Sequence, residues 1–157
     1  MTTTHTSAPE ALTALILSVF RANGALIDAG DALVKDIGLT SARWQVLGAI
    51  GIEGRPISVA QIARRMGLTR QAVQRVVNDL ETRGHLSFQP NPDHKRAALV
   101  AFTPLGERAF AEATARQAEW AAALSMNLST DALMSAAQLL DTLNTRLALS
   151  AQPNQGY

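Results

Sequence analysis

Apolar residues recur along most of the chain at the i, i+3, i+4, i+7 spacing of helices that bury one stripe. Leu12, Leu15, Ile16, Val19, Phe20, Leu26, Ile27, Leu33 and Val34 predict one long helix reaching about Lys35. Ser7 and Glu10 make a capping box at its start, and Gly38 is a stop. Gly24 and Gly30 each weaken a helix by about 1 kcal/mol relative to alanine, so a bend or close packing is expected there. Thr40 or Ser41 caps a second helix through Trp44, Val46, Leu47 and Ile50. Residues 51–56 (GIEGRP) read as turn, and Ile57 begins a very short strand.

The pattern is densest from Val59 to Asp79. Ser58 and Gln61 form a second capping box, opening a short helix with Val59, Ile62, Ala63 and Met66 on one face. Gly67 permits a turn at positive φ, Leu68 plugs the corner, and Thr69 caps the next helix. That helix buries Ala72, Val73, Val76, Val77 and Leu80, ending near Arg83 and Gly84. Two short helices joined by so tight a corner are a helix-turn-helix. Residues 85–90 and 97–102 alternate as strands around the loop 91–96, which makes a β-hairpin. Thr103 and Pro104 start a helix to about Asn127 with Phe110, Trp120 and Leu124. Ser129 or Thr130 opens a last one bearing Leu133, Ala136, Leu140, Leu143 and Leu147. Residues 1–8 and 151–157 read as frayed and loose ends.

The fold class is therefore mainly α with a small β-wing, a winged helix-turn-helix carrying long N- and C-terminal helices. It reads as a single domain over residues 1–157. The winged lobe covers about 38–103, and a helical dimerisation lobe covers about 8–37 and 104–150. The terminal helices are too long and apolar for a small winged domain alone, which points to two copies burying them together.

At 157 residues, 47% hydrophobic and 17% charged, the chain is long enough to bury a core. It has no cysteine, which excludes disulfides, thiolate zinc sites and thiolate redox sensing. No uninterrupted apolar run approaches the ~18 residues of a membrane span and no secretory signal opens the chain, so a soluble cytoplasmic protein is expected. The net charge of +1 hides an asymmetry. From Arg55 to Arg96 there are eight basic and three acidic residues, a net of +5, against six and ten elsewhere, a net of −4. A basic face on an acidic scaffold suits nucleic acid.

The outer face of the second motif helix carries Arg70, Gln71, Gln74, Arg75 and Asn78. Such side chains bond two atoms of one base edge in the major groove. Lys95 and Arg96, near the wing tip, are placed to reach phosphates or the minor groove. His5, His85 and His94 lack metal-ligand spacing, and no cofactor is implied. No nucleophile elbow, phosphate loop or carboxylate pair appears, so the chain is not expected to be an enzyme.

LTSARWQVLGAI, RPISVAQIARRMGLTRQAVQRVVNDLETRGHL and NPDHKRAALVAFTPLGE together resemble the MarR family of dimeric winged-helix transcription regulators, over about residues 38–107. The resemblance implies a homodimer whose recognition helices enter consecutive major grooves of a pseudo-palindromic operator, with the wings in flanking minor grooves. It further implies repression of nearby genes, relieved by a small aromatic or phenolic ligand. Position by position, base contacts fall on Arg70, Gln71, Gln74, Arg75 and Asn78, and phosphate contacts on Ser58 and Thr69. The family's wing carries Asp, any residue, then Arg. Here His94 holds the Asp place and Arg96 the Arg place. Either Asp93 steadies Arg96 instead, or His94 makes the wing sensitive to pH. The family's ligand cleft lies where the second helix meets the dimer helices. Arg43 and Trp44 there either line a pocket for an aromatic anion or serve as a surface cation and a packing residue. The alternatives to an operator reader are a winged-helix protein-interaction module and a small-molecule-binding module.

Overall fold

A computed structural model describes residues 7–150 apart from Lys95; the ends read as frayed or loose lie largely outside the described residues. Helix α1 (Ala8–Val34) is followed by a 3-10 turn (Lys35–Ile37) and α2 (Ser41–Glu53). Strand β1 (Ile57–Ser58) leads into α3 (Val59–Met66) and α4 (Arg70–Thr82). Strands β2 (Leu86–Gln89) and β3 (Leu99–Phe102) precede α5 (Pro104–Leu124) and α6 (Thr130–Ser150).

Helix starts follow local chemistry. The capping boxes of Ser7 with Glu10 and Ser58 with Gln61 both form, and the hydroxyls of Thr40 and Thr69 accept from the backbone N–H of Arg43 and Ala72. Gly38 and Gly67 adopt left-handed conformations that end the turns before them. Contrary to the expected turn over residues 51–56, α2 continues through Gly51 and Ile52 to Glu53. The Phe110 ring packs against bare backbone at Gly51, and this long-range contact holds the glycine in the helix. Gly30 likewise lies against the Ser41 side chain, whereas Gly24 faces open space.

β1 joins the hairpin as a third strand, giving an antiparallel sheet of order β1-β3-β2 with Ile57 opposite Val100 and Leu86 opposite Phe102. Val46, Leu47, Ile50, Ile57, Ile62, Val73, Val77, Leu80, Leu86 and Val100 form one core between α2, the motif helices and the sheet. This core fixes α4 by one face and leaves its other face outward.

The chain divides into two compact units between Ala118 and Glu119. In the first, α1 exposes Leu12, Ile16, Leu17, Phe20 and Leu26. With its 3-10 turn it reaches a mean hydropathy of 1.4 over 18 residues, none of them buried. By length and composition it is long and apolar enough to cross a membrane, although no uninterrupted apolar run within it approaches 18 residues. The average is reached across scattered polar residues such as Arg21 and Asn23. In the second unit α6 exposes Leu133, Leu140 and Leu147.

Candidate nucleic-acid interface

The interface is built from the motif outward. In α3, Ile62 and Ala63 are buried and Val59 and Met66 are half-buried, while Arg64 and Arg65 face solvent. Gly67 at φ +64 turns the chain, and its N–H returns to the carbonyls of Ala63 and Arg64. Leu68 does not plug the corner: it is 49% exposed. Ala72, expected inside, is exposed as well. Both lie on the rim of a cleft that no described element fills. The core grips α4 through Val73, Val77 and Leu80.

On the other side of α4, Arg70, Gln71, Arg75 and Asn78 are exposed and Gln74 is half-exposed. Gln71, Gln74, Arg75 and Asn78 follow the i, i+3, i+4, i+7 spacing, so they share one face. The Gln74 Nε2–H donates to Asn78 Oδ1 at 2.7 Å. Thr69 Oγ1 caps the helix and no described group accepts its hydroxyl proton, whereas the Ser58 hydroxyl donates to Gln61 Oε1 at 2.9 Å within its capping box.

The wing is shaped by Asn91. Its Nδ2 donates to the Ala97 carbonyl at 2.8 Å, and its Oδ1 accepts from the Asp93 N–H at 3.0 Å. No ion pair joins Asp93 to Arg96 among the described residues, though such a pair is one of the two alternatives for the wing, and a side-chain amide clips the loop. Arg96 is exposed, and Lys95 lies outside the described residues.

Between α3 and the wing runs a cleft of about 710 Å³. Ser58, Arg70 and Arg96 meet there with two residues the motif alone did not single out, Arg55 and Arg64. Four arginines line it with Asp93 as the one lining carboxylate; Glu53 stands 3.8 Å from Arg55, and the other three arginines leave the cleft cationic. No described carboxylate pairs with Arg64, Arg70, Arg75 or Arg96. Arg43, Arg55, Arg65 and Arg83 each pair with one, and Arg116 pairs with two, Asp36 and Glu112. The sequence signal for Arg55 and Arg64 was the charge excess, which carries no position.

Behind this face, Asp79 on α4 accepts from Arg43 and from Arg83. Burial raises the Asp79 pKa, but the two guanidinium hydrogen bonds outweigh it and hold the carboxyl below its ordinary value. Arg43 is thus engaged with Asp79 and with the Gly38 carbonyl, and Trp44 packs half-buried against the core. Neither lines the cleft of about 580 Å³ that opens between α1, α2 and the motif corner, though lining such a pocket is one of the two alternatives for this pair. Ile27, Asp31, Gln45, Met66, Leu68 and Val76 are among the residues that do. His85, where α4 passes into β2, is buried with no partner for Nδ1 among the described residues. Burial lowers its pKa, the charges of Arg83 and Arg43 add to that, and Asp79 opposes it.

The profile of the MarR family matches residues 37–97, from the end of the 3-10 turn to the wing. An uncharacterized protein of Mycobacterium tuberculosis is 40% identical over 102 residues, 65% of this chain and 70% of its own length. A mutant MarR from E. coli complexed with operator DNA aligns at a TM-score of 0.75, with 20% identity over 87% of this chain and 98% of that one. The organohalide-sensing regulator RdhR in its 2,4-dichlorophenol-bound form aligns at 0.79, with 14% identity over 100% of this chain and 92% of that one. The chain belongs to the MarR family of winged helix-turn-helix transcription regulators.

Proposed function

We propose that the chain works as a homodimer that reads a pseudo-palindromic operator and represses nearby genes until a small ligand binds. The observation that carries this is the outer face of α4, where arginines without carboxylate partners and amide side chains stand clear of the core beside a cationic cleft leading to the wing. In this reading Gln71, Gln74, Arg75 and Asn78 meet base edges. Arg70, given a base contact by the sequence but lining the cleft, joins Thr69, Arg64 and Arg55 in meeting phosphates, and Arg96 with Lys95 reaches the minor groove. Ser58 sets the start of α3, because its hydroxyl is engaged within the helix cap.

The dimer reading rests on the uncovered leucines of α1 and α6, which a second copy would take from water. It also accounts for the apolar length of α1 without a membrane, and supports a cytoplasmic location. For the ligand, the cleft beneath α1 is apolar and borders α4 directly. Among its lining residues Asp31 carries the one charge, and no cation is present. A neutral phenol suits that lining better than an aromatic anion, and the phenol-bound RdhR structure is consistent with such a ligand.

The test is selection of bound duplexes from a random pool by the full chain. The expected winner is two-fold symmetric with half-site centres about one helical turn apart. Enrichment of no sequence, or of a single asymmetric site, overturns the reading. Transcription from a promoter overlapping that operator should fall when protein is added, and a rise would overturn repression.

A further inference from the structure

The hydrogen bond between Gln74 and Asn78 settles more than helix stability. When Gln74 Nε2–H points at Asn78 Oδ1, the Gln74 Oε1 acceptor and the Asn78 Nδ2–H donors are left for another partner. No described protein group takes either one. Both residues lie on the outer face of α4, a single helical turn apart.

We infer that Gln74 and Asn78 act as one unit that reads an adenine in the operator, an assignment that rests on the DNA-reading role proposed above. The unit needs a donor for Oε1 and an acceptor for Nδ2 when the groove dries around it. In the major groove adenine offers both, through its N6 amino group and N7. Guanine presents two acceptors, thymine an acceptor and a methyl group, and cytosine a lone donor. Taken one base at a time, each of these leaves one amide atom without a partner, which costs more than a bond never made, and selection of a G·C pair at that position, read across guanine O6 and cytosine N4, overturns the assignment. The bond also holds both side chains in place before DNA arrives, so less rotamer freedom is lost on binding.

The experiment repeats the duplex selection with the full chain as wild type, Gln74→Ala, Asn78→Ala and the double variant. Both side chains are solvent-facing and alanine is the better helix former, so all four should fold. Wild type is expected to select adenine at one position of each half-site. Each single variant should lose that preference by about fivefold to a hundredfold at the same position. The double variant should lose no more than either single one, because either change dissolves the unit. Relaxation at two different base pairs, or an unaltered profile in the variants, overturns the assignment while leaving operator reading intact. A wild type that selects no sequence overturns operator reading, and this inference with it.

Discussion

The Nε of Arg43 on α2 donates to Oδ2 of Asp79 on α4 at 2.5 Å, and Arg83 donates to the other oxygen at 3.0 Å. One carboxylate thus ties the recognition helix to α2 while satisfying two guanidinium groups. Replacing Asp79 by alanine leaves Arg43, whose side chain is 20% exposed, without its partner. The expected loss is about 1 kcal/mol, above that of a freely exposed pair and well below that of a fully buried one. Urea unfolding of Asp79→Ala, Arg43→Ala and the double variant should show the two losses to be non-additive. The folded pKa of Asp79 lies below its ordinary value of 3.8. The stabilisation is therefore complete above that value and disappears as pH falls through the folded one.

His85 gives the near-neutral window its own signature. Its pKa is lowered from an ordinary 6.5, first by burial and then by Arg83 and Arg43. Below 6.5 the unfolded chain takes up a proton that the folded chain resists, so stability falls on acidification and is fully present above that value. Unfolding free energy should decrease between pH 7.5 and 5.5, and His85→Leu should flatten that decrease whatever it does to stability at pH 7.5. A slope unchanged in the variant would place its source elsewhere.

Most of the motif was legible because its signals are local. A hydroxyl three residues before a glutamine or glutamate, a glycine at a corner and an apolar stripe each act within one or two helical turns. What escaped the sequence depends on distant residues. Gly51 stays helical because Phe110, on α5, lies against it. Arg43 looked free to meet an anion until Asp79, thirty-six residues on, was found beside it. Leu68 and Ala72 fit an inward pattern, yet the space they face is an open cleft. Asn91 carried no signal as the clip of the wing, because its partner Ala97 contributes only a carbonyl.

The glycines supply a contrast in stability. A Cβ on Gly106 would fall inside the carbonyl oxygen of His85, which is backbone and cannot swing away. Gly106→Ala should cost about 3 kcal/mol or more. Gly24 sits within α1 with nothing within 4 Å of such an atom. Gly24→Ala should gain up to about 1 kcal/mol from helix propensity. Thermal unfolding of the two variants compares them directly, and a loss at Gly24 would mean that a second copy occupies the space beside it.

Arg64 separates phosphate binding from base reading. It projects from α3 into the cationic cleft, away from the base-reading face of α4, and no described carboxylate neutralises it. If Arg64 meets the DNA backbone as proposed, it contacts what is the same at every step, so Arg64→Ala should weaken all sequences alike. The logarithm of affinity against the logarithm of salt concentration should lose about one unit of slope, since one fewer counterion is released. Arg75→Ala should instead cost about 1–3 kcal/mol on the selected operator and much less on random duplex, if the guanidinium bridges two acceptors of one guanine. Titrations of both variants on both duplexes at several salt concentrations distinguish the roles. A sequence-dependent loss for Arg64→Ala, or a uniform loss for Arg75→Ala, would exchange the assignments and move the base-reading surface from α4 towards the cleft.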